Sequence, residues 1–509
     1  MMRPNIVVLM ADQLAPQFTG AYGHRTARTP HIDALAARGM RFDAAYCNAP
    51  LCAPSRFAFM SGQLISRIAA YDNASEFPAS VPTFAHYLQM LGYRTCLAGK
   101  MHFIGPDQMH GFQDRITTDI YPSDFAWTPD WEAADERIDK WYHNMATVKE
   151  SGVAIATFQT DYDDEVEFTA RRWLIDRGRD RAAGQAAPFC LVASFIHPHD
   201  PYVAQPEFWD LYKDAMIDIP EALPMARHDP FSRRVMEGIK ATSVALTEAE
   251  IRRARRAYLA NVSYFDSKVG AILNTLKEID AIDTTLVIVT ADHGDMLGER
   301  GLWYKMTFFE HSARVPLICA GPGVVPGVAP NACALVDLLP TFVDLAGGDA
   351  RLPGGPVDGR SLIPLLRGAA DPVDEAIGEY CAEMTPWPVF MIRRGPLKYI
   401  HCDVDPPQLY DLAADPNERV NRADDPAYAR VAADFAAEVA DRWDSARLRA
   451  DVIRTQTARR ALAAAMAAGA GAAWDYTPPR DASQEYVRNH MDWPVVAAQS
   501  RYPPRGGSV

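Results

Sequence analysis

The sequence of 509 residues predicts an α/β fold: one large, mostly parallel sheet flanked by helices, followed by a smaller C-terminal α+β domain. Two patterns carry that expectation. Through the first three quarters of the chain, short apolar runs alternate with helical repeats, the order that puts helices on both faces of a sheet and ligands at the carboxyl ends of its strands. After about residue 375 the runs shorten and are broken by Pro and Gly, as in an antiparallel meander. The length provides ample material for a large core.

Taken in order, NIVVLMA (5–11), YRTCLAG (93–99), FCLVASFI (189–196), TLVIVTA (285–291) and VPLICAG (315–321) read as buried strands. Between them TPHIDALAARG reads as a helix, with Thr29 as N-cap, Pro30 at the first helical position and Gly39 at the end. VPTFAHYLQMLGY repeats that design. EYCAEM, PVFMIRRG and LKYIHCD are the meander, and helices from about 425 to 470 lead into a polar, proline-containing tail. The expected division is a catalytic α/β domain over 1–375, a smaller α+β domain over 376–480 and a tail over 481–509.

Composition narrows the function. Lys plus Arg number 51 against 65 Asp plus Glu, a net charge of −14 that argues against a nucleic-acid partner. The start, MMRPNIVVLMADQ, has too short an apolar stretch for a signal peptide, and no apolar run is long enough to span a bilayer, so a cytoplasmic protein without a membrane partner is expected. Eight cysteines without a C-x-x-C indicate neither a disulfide framework nor a zinc knuckle, and read as buried thiols.

Ionisable residues collect at the ends of the expected strands. Asp12 ends the first, and Asp292 and His293 end the one written TLVIVTADHGD. Carboxylates with an imidazole suit a divalent cation, Ca²⁺ before Mn²⁺ or Mg²⁺; each aspartate alone reads more readily as a helix cap, and the two together at strand ends favour metal. HPHDP (197–201) adds two histidines and Asp200, one histidine being open to a structural role, and GKMH adds Lys100 and His102. Lys305 follows in GLWYKM. Cys52 sits between Pro50 and Pro54 with Arg56 one helical turn away, a setting for anion or nucleophile chemistry, with a buried thiol at a helix start as the plainer reading.

CAPSRFAFMSG (52–62) resembles the first signature of type I sulfatases, C-x-P-S-R with a glycine six residues beyond the arginine, and GYRTCLAGKMH (92–102) resembles their second. The resemblance implies an alkaline-phosphatase-like fold and oxidation of Cys52 to formylglycine by a formylglycine-generating enzyme. The hydrated aldehyde then attacks sulfur, and a serine there would trap the covalent ester. It further implies a metal held by Asp12, Asp292, His293 and modified Cys52, with Asn73 on a sulfate oxygen. Arg56 and Lys100 would orient the nucleophile, and His102, His199 and Lys305 would surround the sulfate. Gln13 stands where many sulfatases carry another aspartate, so a four-carboxylate site is not implied.

Finer resemblance, through YDNASE, GKMHFIGPDQMHGF, TTDIYPSDFAWTPDW, WYHN, HPHDPYVA and YVRNHM, is to choline sulfatases. It implies choline sulfate as substrate, with the trimethylammonium group among Trp127, His143, Asn144 and Glu383. It also implies a homodimer or homotetramer in which the tail, through Asn489 and Asp492, reaches a neighbouring site. Tyr486, Trp493 and Tyr502 suit a docked segment. Phosphonate monoester or phosphodiester hydrolysis on the same fold, a broader aryl or alkyl sulfatase, and an unmodified sulfate-ester-binding protein are the rival readings.

Overall fold

The structure, a computed structural model, describes residues 3–133, 143–349, 355–471 and 474–504. In chain order the strands of the large sheet region are β1 (Asn5–Asp12), β2 (Met40–Tyr46), β3 (Arg94–Gly99), β4 (Asp114–Arg115), β5 (Gly152–Val153), β6 (Phe189–Pro198), β7 (Val203–Ala204), β8 (Thr285–Ala291), β9 (Leu317–Ala320) and β10 (Gly327–Ala334). Eight of them form one sheet in the order β10-β2-β9-β8-β1-β6-β3-β4, with β5 and β7 paired apart from it.

The five expected strands are all present. β1 is central because its sequence, NIVVLMAD, is apolar on both faces until Asp12, and it runs parallel to β6 and β8. The VPLICAG strand differs in direction: β9 is antiparallel to both β2 and β8, so the sheet is mixed at that point. β2 and β10 were not legible as strands. MRFDAAY interrupts its apolar positions with Arg41 and Asp43, and β10 carries Pro330 where its register against β2 shifts.

Helices Phe158–Ala182 and Glu248–Glu278 pack on β6 and on each other. A second group, Cys52–Ser61, Phe84–Met90 and Leu338–Leu345, packs together, with Phe84–Met90 on β3. Helix Pro30–Arg38 starts and ends as the sequence suggests, with Thr29 at the N-cap position, but the Thr29 side chain makes no capping hydrogen bond. The Thr29 hydroxyl is engaged by Gly20 N–H and Asp33, and the first free amides, His31 and Ile32, donate instead to Asp266 of the long 248–278 helix.

Four antiparallel strands, β11 (Glu375–Tyr380), β12 (Val389–Arg394), β13 (Leu397–Cys402) and β14 (Asp405–Asp411), form a second sheet in sequence order, followed by helices Ala429–Arg442 and Ser445–Ala468. The two sheets are tied together by Asn48, whose amide donates to Ile377 O and whose carbonyl accepts Glu379 N–H. Buried Lys398 adds a second tie, reaching Glu310, Glu418 and Phe308 O.

Register places the functional rim. Ala11 lies beside Ala291 and Gly99 beside Ser194, so the ends of β1, β3, β6 and β8 bring Asp12, Lys100, the HPHDP turn and Asp292–His293 to one edge. Gly99 makes this fit possible: it has φ +99° and a Cβ there would lie 1.9 Å from Ser194 O. Gly99→Ala should therefore lower the free energy of unfolding by about 2–4 kcal/mol, read by urea denaturation, through backbone strain and forced separation of β3 from β6.

Candidate active site

Helix Cys52–Ser61 points its first turn at this rim, and every residue of it is buried. Its second amide, Ala53 N–H, donates to Asn73 Oδ1 at 3.0 Å, which leaves the Asn73 side-chain amide protons for another acceptor. One turn on, Arg56 is wholly enclosed. Its guanidinium donates to Asp292 Oδ2 at 2.8 Å, Asp12 Oδ2 at 3.2 Å, Lys100 O at 2.6 Å and Ser194 Oγ at 2.8 Å, touching the ends of β8, β1, β3 and β6. Burial alone would disfavour the charge, but Asp292 and Asp12 outweigh it and raise the Arg56 pKa.

On the other side of the same carboxylates, the ligand atoms of Asp12, Cys52, Asp292 and His293 all lie within 4.8 Å of one another. His293 Nε2 is 3.7 Å from both Asp12 Oδ1 and Asp292 Oδ2, and 3.3 Å from Cys52 Sγ. The other ring nitrogen, Nδ1, faces Gly294 O at 3.0 Å, which fixes it as the protonated one and leaves Nε2 with its lone pair toward the cluster. Neither aspartate caps a helix. Burial would raise Asp12, yet the neighbouring cations Lys100 and Arg56 hold it well below the usual carboxylate range, while burial lowers His293. Two carboxylates, an imidazole nitrogen with its lone pair free and the position-52 side chain make a donor set for a divalent cation, with Cys52 Sγ standing where an oxygen of the hydrated formylglycine would sit.

Gln13, next to Asp12, does not join this set. Its Oε1 accepts from Lys305 Nζ at 2.5 Å and its Nε2 donates to Asp295 at 2.7 Å. Lys305 Nζ also lies 2.9 Å from His199 Nε2, and His199 Nδ1 lies 2.6 Å from Asp200 O. The imidazole is therefore protonated on Nδ1 and accepts from Lys305 on Nε2. Burial would lower Lys305, but Cys52, Asp12, Asp200 and Asp292 raise it, so it stays an ammonium. Of the two histidines in HPHDP, His197 is the structural one, paired with buried Asp163 at 2.7 Å, and His199 faces the site.

An aromatic wall completes the rim. Lys100 Nζ, also paired with Asp12, lies 4.3 Å from the centroid of the Tyr121 ring. Tyr121 contacts Trp127 and His102, and His102 meets Trp127 edge-on at 5.9 Å. Neither ring nitrogen of buried His102 has a hydrogen-bond partner, and burial with Lys100 and Arg56 keeps the ring neutral. His143 stacks on Tyr304 at 4.5 Å and meets Asp200 at 3.2 Å, and Asn144 O accepts from Tyr304. Glu383 is within electrostatic reach of Lys305; burial and Asp72 push its carboxyl up to about 7. Trp141 and Tyr142 of WYHN lie outside the described residues.

The tail stands apart. Asn489 and Asp492 are exposed, and Asp492 caps the short helix Trp493–Ser500 instead of facing the pocket of its own chain. Tyr486 and Trp493 lie along helix Phe158–Ala182, where Arg172 sits 5.9 Å from the Tyr486 ring. The residues that reasoning from sequence missed are Ser194, which receives Arg56, and Tyr121, which floors Lys100. The aromatic-rich insertion 117–144 held the one signal for Tyr121.

A buried arginine tying two metal-ligand carboxylates to a cysteine at a helix start is the site expected from the two signatures. The sulfatase family model matches residues 4–348, and the chain belongs to the sulfatase family, a sulfuric ester hydrolase whose class uses a divalent metal and a formylglycine. Residues 450–502 match the model described as choline sulfatase enzyme C terminal, and residues 298–444 that of the N-sulphoglucosamine sulphohydrolase C terminus. Over 98% of this chain and 99% of the relative, it is 46% identical to a choline-sulfatase of Rhizobium meliloti. An N-acetylglucosamine-6-O-sulfatase of Bacteroides thetaiotaomicron is 28% identical over 82% of each chain. The phosphonate monoester hydrolase of Agrobacterium radiobacter shares the fold, with a TM-score of 0.67 and 24% identity over 88% of this chain and 96% of that one. No helix among the described residues is long and apolar enough to cross a membrane.

Replacing Cys52 by Ala should abolish turnover while Ca²⁺ binding, followed by calorimetry, persists at reduced affinity, because Asp12, Asp292 and His293 come from other segments. Turnover close to that of the unsubstituted enzyme would remove position 52 from the reaction.

Proposed function

We propose that this sulfatase hydrolyses choline sulfate to choline and sulfate. The observation that carries the reading is the layout of charge: Lys100 and Lys305 stand at the carboxylates that Arg56 backs, Lys100 lies against the wall of Tyr121 and Trp127, and the carboxyl of Glu383 is within electrostatic reach of Lys305. A trimethylammonium group offers no N–H, so aromatic faces and a carboxylate are the contacts available to it. The choline-sulfatase of Rhizobium meliloti, similar over the whole length, supports the same substrate. Phosphonate monoester hydrolysis rests on shared fold alone.

In this reading the divalent cation, assigned as Ca²⁺ from the oxygen-rich donor set of Asp12, Asp292, His293 and modified Cys52, supplies charge that polarises the sulfate oxygens. Formylglycine at position 52 offers a hydroxyl of its hydrate as the nucleophile. Arg56 orients Asp12 and Asp292, and Lys100 pairs with Asp12. The free amide of Asn73 and the unpartnered ring of His102 are the hydrogen-bonding groups for sulfate oxygens. Lys305 has two protons directed at Gln13 and His199, and its third is assigned to the departing choline oxygen. Choline leaves as an alkoxide, so stabilisation there weighs more than for an aryl sulfate. Trp127, His143, Asn144 and Glu383 receive the cation.

The test pairs choline sulfate with 3,3-dimethylbutyl sulfate, its neutral isostere. Trp127→Ala should raise KM for choline sulfate about 2- to 30-fold more than for the isostere, the range of a lost cation–π contact of ~0.5–2 kcal/mol. Equal losses on both esters would return Trp127 to a packing role.

A pH series reads Glu383 separately. Its carboxyl is neutral below about 7 and ionised above, so KM for choline sulfate should fall as pH rises through that value, and the same limb should be flat for the isostere and absent in Glu383→Gln.

A further inference from the structure

Three pocket residues, Asn73, Trp127 and Glu383, come from three loops far apart in sequence, and each sits one residue from an atom held by the C-terminal helix Ser445–Ala468 or by its immediate partner. Arg459 of that helix is buried and forks onto Asp72, with both contacts at 2.7 Å, and Asp72 precedes Asn73. The same guanidinium reaches Thr128 Oγ1 at 3.2 Å, and Thr128 follows Trp127. Three residues earlier on the helix, Gln456 Oε1 accepts Trp131 N–H at 2.9 Å, and the Trp131 indole donates to Ala382 O at 2.7 Å, beside Glu383.

These contacts are not generic packing. Asp72 is fully enclosed, and its Oδ1 also accepts Ala74 N–H at 3.0 Å, so the turn carrying Asn73 is shaped around the carboxylate that Arg459 neutralises. Thr128 donates its own hydroxyl to Phe125 O at 2.7 Å while receiving Arg459, so the same cation sets the loop carrying Trp127. A planar guanidinium holds both Asp72 oxygens in a two-donor fork and still reaches Thr128; the single nitrogen of an ammonium cannot reproduce that fork.

Building on the choline sulfate reading above, we infer that Arg459 is a positioning residue that couples the sulfate subsite to the cation subsite, fixing the distance between Asn73 and Trp127 through Asp72 and Thr128. It touches no substrate. Its effect is on the fit of an ester whose two charged ends must be met together, so it governs selectivity more than the chemical step.

The experiment measures kcat and KM per formylglycine-bearing enzyme on choline sulfate and 3,3-dimethylbutyl sulfate. Arg459→Met leaves Asp72 buried and unpaired and is prone to misfold. The variants are therefore Arg459→Lys, which keeps the charge without the fork, and the double substitution Arg459→Met with Asp72→Asn, which removes both charges and keeps an acceptor for Ala74. Both should lose about 10- to 100-fold in kcat/KM on choline sulfate, mainly through KM, and several-fold less on the isostere. A lower melting temperature with wild-type KM values and an unchanged ratio between the two esters would overturn the inference, as would equal losses on both.

A double-mutant cycle joining Arg459→Lys to Trp127→Ala separates this inference from the substrate reading. The substrate reading fails if the wild-type enzyme does not distinguish the two esters. The cycle can be run on whichever ester is turned over: non-additive losses support the coupling and additive losses overturn it.

Discussion

The buried contact of Arg56 with Asp12 and Asp292 is the constraint on which the site depends. The guanidinium sits behind two fully enclosed carboxylates as their shared counter-charge and leaves their other oxygens for a cation in front. Because the same group also binds Lys100 O and Ser194, it fixes the ends of four strands at one time. A lysine could supply the charge but not four directed contacts. The C-x-P-S-R signature thus has a structural meaning: the cysteine and the arginine share one helical turn so that nucleophile and counter-charge are set by a single rigid element.

A second arrangement divides the substrate's charges. In the proposed reading the sulfate end meets Lys100, Lys305 and neutral hydrogen-bonding groups, and the far end meets aromatic faces and Glu383. Gln13 lies between the two regimes. By facing Lys305 and Asp295 instead of the cation site, it offers a fixed amide that orients the Lys305 ammonium. The departure from the more acidic pattern of other sulfatases therefore changes where the positive charge is aimed.

Much of this was legible in the sequence because parallel strands buried on both faces are written as uninterrupted apolar runs, and their polar ends stand out. Asp12, Lys100, His199, Asp292 and His293 could be found that way. β2 and β10 could not, since polar positions and a proline break their runs, and the cap of helix Pro30–Arg38 could not, since Asp266 reaches it from a helix more than two hundred positions away. Assigning Asn73, Glu383 and the roles of Lys305 and His102 required resemblance. Arg459 and Asp72 are 387 positions apart, and no local pattern marks either one. The tail illustrates the opposite limit: its aromatic residues do signal docking, but the single chain shows them on its own helix Phe158–Ala182.

The dependence of the pocket on helix Ser445–Ala468 has a bearing on the order of events during synthesis. The strands, the cysteine and the metal ligands emerge first, while the segment that locks the turn beside Asn73 and the loop beside Trp127 is among the last made. Cys52 is 1% exposed once the chain has closed, so any enzyme that converts its side chain must reach it while that region is still open. Conversion of position 52 thus needs the site open, whereas selectivity in the proposed reading needs it closed by helix Ser445–Ala468.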